Sequence, residues 1–201
     1  SRSFYSLPIL ILTLSILFPA FSNQTKPLYT QADIDYDFNK GIDLIMSGDS
    51  TTAFIYMKKA AEAGHVGAQN NLGNFYAMGI GADRNPEKSV YWITLSAKGG
   101  SALAQNTLGC FYKDGLNNVE IDLEKAKYWF EQSALQGEDD AQYNLGIAYK
   151  YGEGCLQNYF RAQYWFYEAE KQGYTYATDE INEISRIIIE AIGITSLADD
   201  E

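Results

Sequence analysis

The sequence predicts an all-α protein, a right-handed α-solenoid of antiparallel helix pairs with a C-terminal capping helix. Three observations support this fold class: similar segments recur every 36 or 37 residues, each copy has the hydrophobic spacing of two helices, and helix starts and stops recur in register. The chain has 201 residues, of which 46% are hydrophobic and 20% are charged. That composition is sufficient for a buried core and argues against wholesale disorder.

The first 22 residues resemble a secretory signal peptide. Arg2 precedes the uncharged run Leu7–Phe18, and small residues at Ala20 and Ser22 are followed by polar ones. We therefore predict cleavage after Ser22, export to the periplasm or medium of a bacterial source, and a linker over residues 23–32. An uncleaved membrane anchor is the alternative, because the apolar run approaches the length of a spanning helix.

The repeats occupy residues 33–192. The predicted units are 33–64, 65–100, 101–137 and 138–173, followed by a cap over 174–192 and an acidic tail over 193–201. In the first helix of a unit, Ala68, Leu72 and Tyr76 have the i, i+4, i+8 spacing of one helical face. Gly73 beside this face leaves room for a neighbouring helix. The one interval of 37 residues places an extra residue in the loop 116–121.

The second helix of each unit has its own recurring signals. A capping residue precedes a small residue by four positions, and the four caps are Asp49, Asn85, Asp122 and Asn158. Glycines stand where left-handed helix stops are expected, at Gly64, Gly100, Gly137 and Gly173. An aromatic column comprises Tyr56, Trp92, Trp129 and Trp165, and we predict that its tryptophans are buried between units.

These motifs resemble the Sel-one-like repeat family, which is related to tetratricopeptide repeats. The pattern A-Q-x-x-L-G-x-x-Y-x-x-G is followed by a loop and K-A-x-Y-W-F, best matched at Lys125–Phe130 and Arg161–Phe166. The first unit departs from the pattern, because its helices have the shorter tetratricopeptide spacing. The resemblance implies an exported, non-enzymatic adaptor or scaffold. It also implies an alternative, a hydrolase of cell-wall or β-lactam substrates, although the regular cysteine pairs of such relatives are absent.

Few residues suggest chemistry, and we predict no catalytic residue, cofactor or metal. His65, the only histidine, occupies a polar turn between units and has no indicated acid–base partner. Cys110 and Cys155 are separated by more than a disulfide spans, so we expect free thiols, with a bridge made possible by curvature as the alternative. The adjacent carboxylates of Glu138, Asp139 and Asp140 suit a solvated helix start better than a metal site.

The concave face of the solenoid is the predicted site for a protein or peptide partner. Positions three before and one and four after the first-helix glycine point into this groove: Phe38, Ile42 and Ile45; Asn70, Asn74 and Ala77; Asn106, Cys110 and Lys113; Tyr143, Ile147 and Lys150. The alternative for the first three is that the segment Leu28–Ile34 covers them, and convex or loop surfaces are alternatives to the groove itself.

The net charge of −11 limits the class of partner. It argues against nucleic acid and favours a basic ligand, and a membrane is expected only if the N-terminal segment remains as an anchor. Because the groove positions include lysines and no carboxylates, we expect the acidity to lie mainly elsewhere on the surface. We expect the protein to be a monomer.

Overall fold

The computed structural model describes residues 29–193, which contain nine α-helices, one 3-10 turn and no strand. The helices are α1 (Gln31–Ser47), α2 (Ser50–Glu62), α3 (Val66–Met78), α4 (Pro86–Lys98), α5 (Ala102–Asp114), α6 (Leu123–Ala134), α7 (Asp139–Tyr151), α8 (Tyr159–Lys171) and α9 (Tyr176–Ala191). Within this range, residues from Ala32 onward belong to one compact unit. The predicted signal peptide and most of the predicted acidic tail lie outside the described residues.

The helices stack in chain order, and this order confirms the predicted all-α solenoid. Each helix from α2 to α8 packs against the one that follows it. The odd-numbered helices are the first helices of the units, and the even-numbered helices are the second. Helix α9 takes the place of a fifth first helix, because it packs on α8 and buries Ala177, Ile181 and Ile184.

A glycine in each first helix allows the second helix to approach closely. A Cβ atom added to Gly109 or Gly146 would lie 2.6 Å from the ring of Phe130 or Phe166, and one added to Gly73 would lie 2.6 Å from Ile93. The three large side chains are fully buried. This contact recurs from unit to unit and sets the helix spacing.

The prediction of a buried tryptophan column is wrong by one position. Trp92, Trp129 and Trp165 are half-buried, whereas the residue after each of them fills the core. Each tryptophan packs against the edge of a core cluster and lies edge-on to the exposed tyrosine before it, with ring centroids 5.0–5.1 Å apart. Adjacent positions on a helix are rotated by about 100°, so only one of two neighbouring residues can face the glycine.

The predicted helix caps are confirmed. The side chains of Asp49, Asn85, Asp122 and Asn158 each accept a hydrogen bond from the backbone N–H three residues later, at 2.8–3.1 Å. The glycines predicted as helix stops, Gly64, Gly100, Gly137 and Gly173, all have φ between 92° and 97°. This left-handed conformation favours glycine over residues with a Cβ.

The loops between paired helices also agree with the sequence. Only two residues separate α1 from α2, as expected from the shorter spacing of the first unit. The later loops close with one hydrogen bond of the same type, for example from the Asn85 N–H to the Tyr76 carbonyl. The loop predicted to hold the extra residue contains the 3-10 turn Leu116–Asn118, and positive φ values at Asn117 and Asn118 accommodate the insertion.

Candidate partner-binding groove

The first section of the predicted groove is apolar and half-buried. Phe38, Ile42 and Ile45 on α1 pack against the core cluster that contains Met57. Ile34 packs against the same cluster, so part of the segment predicted as a cover does contact it. These side chains are therefore partly used by the protein's own core.

The middle section of the groove lies on α3 and α5 and is rich in amides. Asn74, Ala77, Cys110 and Lys113 are half-buried. Asn106 is half-buried as well, and its Oδ1 accepts a hydrogen bond of 3.1 Å from Nδ2 of Asn144 on α7. Helices α5 and α7 thus contact each other through Asn106 and Asn144, of which only Asn106 is at a predicted groove position.

Asn70 does not face solvent, which corrects the expectation from the sequence. Its side chain is 8% exposed, and its buried Oδ1 has no hydrogen-bond partner among the described residues. The helical spacing predicted the direction of the side chain but not its burial in the folded chain. A buried acceptor without a partner is costly, and such groups are rare in folded proteins.

The last section of the groove is closed by α9. The Lys150 side chain is 3% exposed, and its Nζ lies 2.6 Å from Glu180 and 2.7 Å from Glu183. Burial alone would lower the Lys150 pKa, but the hydrogen bonds to the two carboxylates outweigh it and the pKa lies above its usual value. The same hydrogen bond lowers the Glu183 pKa.

Two other predicted groove residues lie at this closed end. Ile147 packs against the C-terminal core cluster, and the Tyr143 hydroxyl donates a 3.4 Å hydrogen bond to Glu180. Burial, followed by the nearby Glu180 carboxylate, raises the Tyr143 pKa. Sequence reasoning missed Glu180 and Glu183 because α9 lacks the repeat motif. Aligning Ala177 with Ala141 in the sequence could have placed Glu180 and Glu183 at this end of the groove.

Charge is distributed unevenly between the two sets of helices. The first helices and α9 contain four Lys and Arg against eleven Asp and Glu, whereas the second helices contain eight against six. The acidic residues are concentrated in α1 and α9, and α3 has no charged residue. None of these carboxylates is at a predicted groove position, so the expectation that acidity lies mainly away from those positions stays a prediction.

His65 has the structural role expected of a turn residue. Its Nδ1 accepts a 3.1 Å hydrogen bond from the Ala68 N–H and so caps α3, and its ring stacks on Phe38 with centroids 4.0 Å apart. Ser101 caps α5 at the equivalent position. The imidazole acts here as a backbone acceptor, a role that a serine hydroxyl performs in the next unit.

The cysteines are free thiols, as expected from their separation. Burial raises the pKa of both the Cys110 and the Cys155 thiol, which disfavours the reactive thiolate. Carboxylate oxygens of Glu138, Asp139 and Asp140 lie within 4.8 Å of one another at the start of α7. Asp139 and Asp140 occupy its first turn, where negative charge favours the helix dipole.

The repeats match a known family. A sequence model described as the Sel1 repeat matches residues 38–65, 66–101, 102–138 and 139–174. The chain belongs to the Sel1 repeat family. Sel1 repeat proteins generally mediate protein–protein interaction, and their fold is typically non-catalytic. No curated protein matches the chain significantly.

Two solved structures show the same fold. A protective antigen of uropathogenic Escherichia coli, which displays an SLR fold, is 30% identical with a TM-score of 0.68 over 72% of this chain. A Sel1 repeat protein from Oxalobacter formigenes is 28% identical with a TM-score of 0.64 over 70% of this chain. The aligned region covers 32% of the first protein and 59% of the second. Between residues 29 and 193, no helix combines the length and apolarity that a bilayer span requires.

Proposed function

We propose that this Sel1 repeat protein is an exported, non-enzymatic adaptor that binds an extended, basic peptide segment of a partner along the middle of its concave face. The groove section on α3 and α5 carries the proposal, because it presents amides without being closed by another element as the α7 end is by α9. The observation that supports it most strongly is that Asn74 and Asn106 are only half-buried, whereas Lys150 at the α7 end is covered by Glu180 and Glu183.

Amides in this section suit the backbone of an extended peptide. Asn74 and Asn106 offer both donors and acceptors, so they match peptide N–H and C=O groups without demanding a particular side chain. The apolar section at Phe38 and Ile42 adjoins them and suits an apolar side chain of the peptide. Binding energy would come from these contacts at the middle of the stack.

The charge of the first helices favours a basic partner. Together with α9 they have a net charge of −7, and most of the carboxylates are on α1 and α9, the outermost of these helices. Cationic groups that flank a neutral central segment of the peptide would be attracted to both ends. Such attraction speeds association and weakens as salt is added.

Selection from a random peptide library tests this proposal and does not require the natural partner. The purified chain is used to select peptides, and a selected peptide is then synthesised for calorimetry. We expect the selected peptides to be net basic. Their affinity for the Asn74→Ala, Asn106→Ala double variant should be at least about tenfold lower, because the double variant loses contacts at the centre of the interface.

The matched control changes the opposite face. Tyr91→Ala and Tyr128→Ala remove exposed side chains from α4 and α6, and we expect the peptide affinity to stay unchanged. Loss of binding in this control, with full binding by the asparagine variant, would place the site on the second helices and overturn the proposal.

Export is the part of the proposal that rests on residues 1–22. Arg2, the apolar run Leu7–Phe18 and the small residues before Asn23 support it. Expression in a bacterial host followed by N-terminal sequencing of the periplasmic fraction should find Asn23 as the first residue. Full-length chain confined to the membrane pellet would instead support an uncleaved anchor.

A further inference from the structure

A pocket of about 320 Å³ lies where the loop after α7 meets α6 and the start of α8. It is lined by Lys127, Tyr149, Cys155, Leu156, Asn158 and Arg161. None of these residues belongs to the groove, and the pocket has no part in the proposed peptide site. Two of the six are cations in a chain whose net charge is −11.

Lys127 departs from the first two repeat units at this pocket. It directly follows the small-residue column, as Phe54 and Val90 do in the preceding units. Phe54 packs edge-on against Tyr76 with ring centroids 5.5 Å apart, and Val90 joins the apolar cluster around Phe111. An apolar side chain therefore fills this position in two units. The third unit places an ammonium group there, partly buried, with 22% of the side chain exposed.

The cations converge on one buried tyrosine. Lys127 Nζ lies 5.7 Å and the Arg161 guanidinium 5.4 Å from the centre of the Tyr149 ring. Arg161 also donates a 3.3 Å hydrogen bond to the Tyr149 hydroxyl. Lys127 pairs with Glu131 at 3.0 Å, but Arg161 forms no ion pair with any carboxylate in residues 29–193. One of the two positive charges is thus not neutralised by a carboxylate at ion-pair distance.

We propose that this pocket binds an oxyanion, a carboxylate or phosphate group of a small molecule, between Lys127 and Arg161. A guanidinium binds such groups through paired N–H donors, and an ammonium adds a second charge-assisted hydrogen bond. The first N–H groups of α8, which begins at Tyr159 beside the pocket, add positive potential from the helix dipole. The pocket volume suits a small anion rather than a folded partner.

Cys155 provides a reporter inside the pocket. Its thiol is half-buried and donates a 3.6 Å hydrogen bond to the Ala148 carbonyl. Burial raises its pKa, and the charges of Lys127 and Arg161 oppose that rise. In a Cys110→Ala background, Cys155 is the only remaining thiol in the chain. The rate at which it is labelled then reports the local concentration of a charged reagent.

The test compares two methanethiosulfonate reagents, one bearing a sulfonate and the other a trimethylammonium group. In both reactions the thiolate attacks the reagent sulfur, a mixed disulfide forms and methanesulfinate leaves. After correction for the rates with a free small thiol, we expect the anionic reagent to react at least about tenfold faster than the cationic one. A corrected ratio near one or below would overturn the proposal.

Two variants that lose the same charge distinguish attraction by the pocket from attraction by the overall charge of the protein. Lys127→Val introduces the residue found at position 90 and should reduce the ratio several-fold. Lys125→Val removes a lysine two residues away that pairs with Asp122, and it should leave the ratio nearly unchanged. An equal reduction by both variants would mean that overall charge, not the pocket, attracts the reagent. Circular dichroism verifies folding, and Arg161→Gln replaces Lys127→Val if that variant unfolds.

Competition with inorganic phosphate tests binding in the unaltered pocket. Phosphate at millimolar concentration should slow labelling of Cys155 by the anionic reagent at least about threefold more than chloride at equal ionic strength, because phosphate, unlike chloride, offers several acceptor oxygens. Acetate in a parallel series distinguishes a carboxylate preference from a phosphate preference. Equal slowing by all three salts would indicate screening alone and would contradict a binding site.

Discussion

The middle and the C-terminal end of the groove are built from equivalent positions but differ in what covers them. Lys113 and Lys150 occupy the same position in successive first helices. Lys150 is buried by Glu180 and Glu183 of α9, whereas Lys113 is half-exposed and forms no ion pair within the described residues. The repeat thus fixes where a side chain points, while the following helix decides whether that side chain supports the fold or remains available to a partner.

The glycine contacts, in contrast, are common to both regions. Gly109 with Phe130 and Gly146 with Phe166 have the same close approach, and neither contact depends on which residues line the groove. The contact between the two helices of a pair therefore stabilises every unit in the same way. The differences between regions lie on the concave face.

The largest expected effect comes from breaking the shared contact. Phe130→Ala should reduce the free energy of unfolding by about 3–5 kcal/mol, because the removed ring is fully buried and leaves a cavity. Trp129→Ala is the matched comparison, and its loss should be smaller by at least about 1 kcal/mol, since the indole is half-buried. Chemical denaturation measures both variants. A larger loss of stability for Trp129→Ala than for Phe130→Ala would support the predicted buried tryptophan column.

The two equivalent lysines test the difference between regions directly. Lys150→Met should destabilise the protein by about 1–3 kcal/mol, because it leaves Glu180 partly buried beside an apolar side chain. Lys113→Met should change stability by less than about 0.5 kcal/mol, as is usual for a partly exposed surface position. Thermal unfolding of the two variants gives the comparison, and equal losses would remove the distinction between an open middle and a closed end.

The helix caps should show a smaller effect with no regional difference. His65→Ala and Ser101→Ala each remove the side-chain acceptor for a backbone N–H, and each should cost about 1 kcal/mol. His65→Ser should recover most of the loss, because serine caps α5 at the equivalent position. Failure of serine to recover stability would indicate that stacking of the imidazole on Phe38 matters more than the cap.

Acidic pH should loosen the closed end before the middle. The Glu183 pKa is lowered in the folded protein, so its contribution is present above the unfolded-state pKa and is lost as the pH falls through the folded-state value. The raised Lys150 pKa acts in the opposite direction, and that contribution is lost only at strongly alkaline pH. Hydrogen exchange at pH 3–4 should therefore show earlier deprotection of α9 than of α3, which has no charged residue.

Prediction from the sequence succeeded where the determinants are local. Caps such as Asn85 and stops such as Gly100 depend on neighbours within a few residues, and the repeat shows them several times over. The burial of Lys150 depends on Glu180 and Glu183, which are 30 and 33 residues away along the chain, so helical spacing alone did not reveal it. Whether Trp129 or Phe130 is the buried residue depends on how the helix is rotated about its axis. A column of aligned residues does not show this rotation.

An NMR titration of the isotope-labelled chain with a selected basic peptide locates the partner site residue by residue. We expect backbone amide shifts mainly in α3 and α5, with the Asn74 and Asn106 side-chain amides among the most affected. Resonances of the exposed second-helix residues Tyr91 and Tyr128 should remain in place. Shifts concentrated in α4 and α6, with α3 and α5 unperturbed, would contradict the assignment of the partner site to the concave face.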